Sequence, residues 1–415
     1  MFWPQLSSEK IKHRVFESLK NNANYRSEHI LGIPGSYLDS HIFYNDAPFL
    51  KDAPFLSTLV ANPNHIGVHT FGENHEEVFK GTQEIERDLI RLCAEEIFSA
   101  TPHSYDGYVA SGGTEANIQA AWVYRNYFIE EYLAEANEIA LVYSEDAHYS
   151  MPKAANLLNL HSIVFPVFSD TRTVQIEILK LQIHRALELG YKYFIVVLNL
   201  STTMFGSVDD LNAIVNLFKV HHLNFKVHVD AAFGGFIYPF TNIENEFNFK
   251  NPAITSFTLD GHKMLQAPYG TGVFLIRKGY LDYVGTKEAN YVNGGDYTLC
   301  GSRSGANAIS LWMILHTHGS LGWTVKMNQL VDKTNSICTF LRAKGIQFFH
   351  NPFLNIISIK SEFVNSELAA RFFLVPDTHQ GKPTWYKLVI MPHVSQGIID
   401  SFLHHLEITL PVLRK

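Results

Sequence analysis

Cysteine is scarce. Cys93, Cys300 and Cys338 are the only three in 415 residues, an odd, scattered set that excludes a disulfide framework and gives no paired spacing for a zinc ribbon. Such usage suits a reducing compartment. Long apolar runs are missing as well, for no stretch approaches the roughly 18 apolar residues that a membrane helix needs. The opening "MFWPQLSSEKIKHRVFESLK" places charges within the first turns of what reads as an amphipathic helix, not an apolar leader. Basic charge is not in excess: 33 Lys and Arg stand against 40 Asp and Glu, a formal charge of −7, which leaves no field for nucleic acid or anionic lipid. The expectation is a cytoplasmic protein that meets a small molecule, with neither nucleic acid nor membrane as partner.

What is present is an ordinary globular balance, 46% apolar and 18% charged, in a chain long enough for a large domain and a smaller companion. Three segments are expected: an arm or docking segment over 1–60, a large domain over 61–300 and a small C-terminal domain over 301–415. "FKGTQEIERDLIRLCAEEIFSA" reads as an amphipathic helix with Thr82 near its start and Ile85, Leu89, Leu92, Cys93 and Ile97 on its buried face. After it the chain alternates. "GYVAS", "EIALVYS", "SIVFPVF", "YFIVVLNL", "KVHVDAAF" and "TSFTL" are short apolar runs separated mostly by helix-length segments, the pattern of parallel strands covered on both faces. "GTGVFLIRKG" returns so soon after "TSFTL" that it is expected to be antiparallel. From Gly301 a long helix, broken near Gly319 to Gly322, leads to short strands at "FLNIISIK" and "YKLVIMP" and a last helix at "SQGIIDSFLHHLEITL". The fold class is α/β, a mostly parallel sheet flanked by helices, with a small α+β C-terminal domain.

In open parallel sheets, sites form beyond the carboxyl ends of the strands, and those ends here read "SGGTEAN", "SEDAHYS", "NLSTTMFG", "VDAAFGG" and "LDGHK". In the first, exposed N–H groups and a helix dipole converge at Gly113 and Thr114, a phosphate cradle or simply a turn with a Thr cap. Lys263 follows His262 at a strand end, where a partly desolvated lysine is a nucleophile able to form a Schiff base; a surface lysine is the other reading. Asp230 ends "VHVD" and needs a cation, which a protonated pyridine nitrogen would supply; a turn cap is the other reading. His148, just past another strand, can stack on an aromatic cofactor and reach a substrate carboxylate, or is a satisfied structural histidine. "HIGVH", at His65 and His69, lacks a third ligand at useful spacing, so no metal is expected.

These motifs, with "GSRSGANA", in this order and at these separations, resemble the pyridoxal-phosphate-dependent group II amino acid decarboxylases, the glutamate, aromatic amino acid and histidine decarboxylase group. The wording is most similar to bacterial histidine decarboxylases and archaeal-type tyrosine/aspartate decarboxylases. The resemblance implies pyridoxal phosphate fold type I, pyridoxal 5'-phosphate as cofactor, and a homodimer with shared active sites. It implies that Lys263 attaches the cofactor, that Asp230 pairs with its ring nitrogen, and that Ala232 and His148 lie against its two faces. His262, Gly113 and Thr114 would hold the phosphate, Asn199 and Thr203 would line the pocket, and Ser302 would reach a phosphate across the dimer interface. Tyr291 or Tyr297, flanking Gly294 and Gly295, would be the proton donor on a mobile loop. Arg303, His65, His69 or His75 would meet the substrate. The implied reaction is decarboxylation of an L-amino acid, aromatic amino acids or histidine first. Carbon–carbon lyase or aminotransferase chemistry and a non-catalytic cofactor-binding protein are the alternatives. One departure stands out: Ser201 occupies a position where the family commonly has glycine.

Overall fold

The computed structural model describes residues 1–21, 77–286 and 295–410. Of the segment 1–60, the described part contains the helix Ser8–Lys20, capped by the Ser7 side chain accepting from the Lys10 N–H, with Ile11 and Val15 buried. Trp3 is buried as well, its Nε1–H donating to the Leu315 carbonyl at 3.0 Å.

The alternating region forms a seven-stranded sheet. Its strands are β1 (Tyr105–Ala110), β2 (Ile139–Ser144), β3 (His161–Phe165), β4 (Tyr193–Asn199), β5 (Asn224–Asp230), β6 (Ile254–Asp260) and β7 (Gly272–Arg277), in the order β1-β7-β6-β5-β4-β2-β3. Strands β3, β2, β4, β5 and β6 pair in parallel. Strand β7 is antiparallel to both β6 and β1, because the short return from β6 leaves no room for a crossover. Side chains alternate between the faces, and both faces are covered. Val109, Val196, Leu198, Val273 and Leu275 enter one apolar cluster; Tyr108, Ile195, Val197, Phe274 and Ile276 enter another. Each such large side chain contributes about 1.5–3 kcal/mol by leaving water.

Thr82 is no cap. The helix that holds it runs Lys80–Arg91 and continues as a wider turn over Leu92–Ile97, with Thr82 buried inside it. The expected face of Ile85, Leu89, Leu92, Cys93 and Ile97 is buried throughout. The long helix Gly305–Ala343 is broken at Gly319, whose φ is +62°. A Cβ at Gly319 would lie 2.4 Å from the Gln5 nitrogen, so glycine there admits both the bend and the N-terminal chain that crosses it.

A second sheet contains β8 (Phe348–His350), β9 (Ile356–Lys360), β10 (Val375–Pro376) and β11 (Trp385–Val389), all antiparallel in the order β10-β11-β9-β8. Strands β8 and β10 are three and two residues long, too short to show alternation in the sequence. The last helix, Gln396–Thr409, is capped by Ser395. Two hydrogen bonds tie this sheet to the loop after β4: Ser358 Oγ donates to the Met204 carbonyl at 2.7 Å and Lys387 Nζ to the Thr203 carbonyl at 3.1 Å. No helix among the described residues is long and apolar enough to cross a membrane.

Candidate active site

The carboxyl ends of β1, β2, β5 and β6 face one cavity of about 360 Å³. Gly113, Thr114, His148, Asp230, Ala232, His262 and Lys263 all line it. The helix Gly113–Tyr132 aims its first turn at this space, and N–H groups of a first turn have no carbonyl within the helix to bind. The turn sits close over β6, for a Cβ at Gly113 would fall 2.8 Å from Asp260 Oδ2 and 3.2 Å from Ala232 Cβ. Only glycine permits that approach.

Asp260, whose place in "LDGHK" has no role in the resemblance, is the center of charge. Its Oδ2 lies 3.3 Å from Lys263 Nζ and 3.7 Å from His262 Nε2, with the carboxylate side chain only 4% exposed. Burial raises its pKa, while the charges of Lys263 and His262 pull it back down. The buried Asp260 Oδ1 and His262 Nδ1 have no hydrogen-bond partner among the described residues, which marks polar capacity left over for a ligand.

Asp230 is held from behind. Its Oδ2 accepts from Asn117 Nδ2 at 2.8 Å and its Oδ1 from the Ala232 N–H at 3.1 Å. Asn117 Oδ1 in turn meets His228 Nε2 at 2.9 Å, and His228 Nδ1 meets Ser256 Oγ at 2.7 Å. One polarity satisfies the chain: Tyr124 O–H donates to Ser256, Ser256 O–H to His228 Nδ1, and His228 Nε2–H to Asn117. The second N–H of Asn117 reaches Ser150 Oγ at 2.9 Å, which leaves the Ser150 hydroxyl to donate to His148 Nδ1, also at 2.9 Å. A neutral His148 therefore carries its proton on Nε2. Burial holds His148 below the ordinary imidazole range, with the Asp230 charge pulling the other way.

Burial pushes His228 down to about 4. The unfolded chain takes a proton there below about pH 6.5, so stability is full above that value and is lost as pH falls toward the folded pKa. The contribution is roughly 3 kcal/mol across the window. Denaturant midpoints measured between about pH 7 and about pH 4.5 should fall less steeply for His228→Gln than for the parent; equal slopes would rule the residue out as the source.

Other expected residues lie elsewhere. Asn199 does not line the cavity: its amide donates to Asp209 Oδ2 at 2.8 Å, and Asp209 is pushed up to about 7 by burial against the Asn199 donors. Thr203 is exposed and offers its carbonyl to Lys387. Ser302 is outside the cavity lining in this chain. The Tyr297 ring packs against the glycine positions 285 and 295, and its carbonyl accepts from Gln119 Nε2 at 2.9 Å. Tyr291, Gly294, His65, His69 and His75 lie outside the described residues. Arg303 does not face a substrate; it forms a buried fork with Glu86, whose Oε1 also accepts from the Val109 N–H. Ser201 has φ +86°, left-handed backbone that costs a side-chain-bearing residue about 1 kcal/mol. Glycine would be the unstrained choice there.

Asn117, Ser150 and His228 escaped the sequence reading, although signals existed. Asn117 is one helical turn beyond Gly113 and so shares its face, and His228 is two residues before Asp230 on a strand. Lys387 also went unnoticed. Burial lowers its pKa, and the Lys263 charge lowers it further.

Residues 84–351 match the pyridoxal-dependent decarboxylase conserved domain. The chain belongs to that family. It is 46% identical over 405 residues to the tryptophan decarboxylase of Clostridium sporogenes, covering 98% of this chain and 97% of that one. Histidine decarboxylase of Vibrio campbellii is 30% identical over 277 residues, 66% of this chain and 68% of the other. Among solved structures, L-methionine decarboxylase from Streptomyces sp. 590 superposes with a TM-score of 0.68 at 18% identity, over 96% of this chain and 93% of its own. That likeness is one of fold, and the fold is type I. This decarboxylase is a carboxy-lyase of amino acids that uses pyridoxal 5'-phosphate. The cavity fits the group: an amine, a carboxylate, an imidazole and a helix N-terminus converge on it, and two buried polar atoms there await partners.

Proposed function

We propose that this decarboxylase acts on an aromatic L-amino acid, tryptophan first, and releases the arylalkylamine and CO2. The observation that carries the reading is the near full-length likeness to a tryptophan decarboxylase combined with a cavity whose lining holds the amine, carboxylate and imidazole that the chemistry needs. Pyridoxal phosphate, when bound, supplies a covalent anchor for the substrate amine and a π system that accepts the electrons left as CO2 departs.

The chain's own residues do the rest. Lys263 would attach the cofactor, with Asp260 3.3 Å from its nitrogen as the nearest carboxylate. Asp230, oriented by Asn117 from behind, would supply the negative charge that keeps a ring nitrogen protonated. His148, neutral and protonated on Nε2, and Ala232 would flank the ring, and Gly113, Thr114 and His262 would hold the phosphate. Tyr291 or Tyr297 would be the proton donor.

The reading includes a homodimer in the cytoplasm, with Ser302 completing the partner's phosphate site. Tyr149 and Tyr269, 64% and 88% exposed, support it, for they stand near the cavity and would gain cover from a second copy. Arg342 and Arg371 are both exposed, so neither supports the carboxylate clamp of an aminotransferase.

CO2 and amine release over all common L-amino acids tests the proposal. Tryptophan and other aromatic substrates are expected to exceed histidine and aspartate by at least about tenfold in kcat/KM. CO2 from aspartate alone would overturn the aromatic assignment, and rapid keto acid formation without CO2 would indicate transamination.

A further inference from the structure

At the opposite end of the strands of the large sheet, where β5 and β6 begin and β7 ends, a second cavity of about 250 Å³ opens. Lys219, Lys226 and Arg277 line it together with Thr255 and Tyr280, and no acidic residue is among those that line it. In a chain with formal charge −7, such a grouping stands against the background. Like charges gathered in a partly enclosed space repel one another.

Two of the cations are fixed by neutral groups. Arg277 donates from Nε to the Ile254 carbonyl at 2.8 Å, and from one terminal nitrogen to the Phe249 and Asn251 carbonyls, both at 2.9 Å. Burial lowers its pKa, and the groups that act against this are the hydroxyls of Tyr124 and Tyr280, not a carboxylate. Lys226 Nζ donates to Tyr280 Oη at 2.6 Å and lies 4.3 Å and 4.9 Å from the ring centers of Tyr127 and Tyr280. Lys219, exposed, stands in the last turn of the helix Leu211–Val220. Arg277 and Lys226 are thus held in place by groups that carry no negative charge. The other terminal nitrogen of Arg277 and the two ammonium groups are the donors left for a tetrahedral oxyanion.

We propose that this cavity binds a small, multiply charged oxyanion of the phosphate class, as inorganic phosphate or as the phosphoryl group of a metabolite. It is separate from the cofactor's phosphate cradle at Gly113, which lies beyond the other end of the strands. The proposal does not depend on which amino acid is the substrate.

Phosphorus NMR of the holoenzyme tests it, because the bound cofactor carries its own phosphorus signal. Added inorganic phosphate should broaden saturably on the parent protein while the cofactor signal stays fixed. The double variant Lys219→Gln/Lys226→Gln should bind at least about tenfold more weakly, whereas Lys226→Arg, which keeps the charge under the tyrosine rings, should retain binding. Glycerol 2-phosphate provides the second arm. Comparable binding assigns the cavity to phosphoryl groups in general, and binding of inorganic phosphate alone assigns it to the free ion. Absence of saturation on the parent, equal binding by the double variant, or a cofactor signal that moves in step with added phosphate would each overturn the proposal.

Discussion

Replacing Lys263 with alanine is expected to abolish the visible absorption of the holoenzyme and to lower turnover at least about 10⁴-fold. The amine is 30% exposed, so its loss leaves no cavity in the core and the protein should remain folded. The local cost falls on Asp260, which keeps only His262 at 3.7 Å. Its pKa, already raised by burial, rises further when the Lys263 charge that lowers it is gone, and a protonated Asp260 removes the penalty of an unpaired buried charge. Lys263→Arg separates charge from chemistry. It keeps a cation for Asp260 yet offers no amine that can be attached, so it should match the parent in thermal stability and the alanine variant in inactivity. CO2 release, the visible spectrum and a melting curve decide the matter together. An arginine variant that kept more than about a tenth of the parent rate would show that Lys263 is not the attachment point.

The sheet was legible because its strands are short, apolar and separated by helix-length segments, and because sites in such sheets gather at strand ends. Reading those ends sufficed to bring Gly113, His148, Asp230, His262 and Lys263 to one cavity. What stayed hidden was the layer behind them. Asn117 and Ser150 sit inside quoted motifs, but nothing in a sequence says that one amide will bridge a carboxylate and a hydroxyl from two other elements. Arg303 went astray for the opposite reason. A cation in a polar loop invites a ligand, and only the fold reveals that Glu86, distant in sequence, has already claimed it. Asn199 misled similarly, since its partner Asp209 lies across a turn. Ser201 shows a third case: the departure from glycine was visible, but its meaning required the backbone angle of +86°.

Asp230→Asn is expected to lower kcat by roughly 10²–10⁴-fold with little change in KM. The substitution keeps shape, and the position is 6% exposed, so packing is preserved. On the proposed role it removes the charge that would keep the cofactor's ring nitrogen protonated, and with it the pull on the electrons released by CO2. The new amide has one oxygen where the carboxylate had two, so it can accept from the Asn117 N–H or from the Ala232 N–H but not from both. Asn117→Ala is the milder test. It spares the charge but removes its oriented donor, and should cost about tenfold. The pH dependence distinguishes charge from geometry. The Asp230 carboxylate raises the pKa of both His148 and His228 against the effect of burial, so its loss lets both fall further, and the acid limb of the rate profile should move to lower pH in Asp230→Asn. In Asn117→Ala, where the charge remains, that shift should be absent. Equal displacement of the limb in both variants would mean that the Asp230 charge does not act on the imidazoles at all.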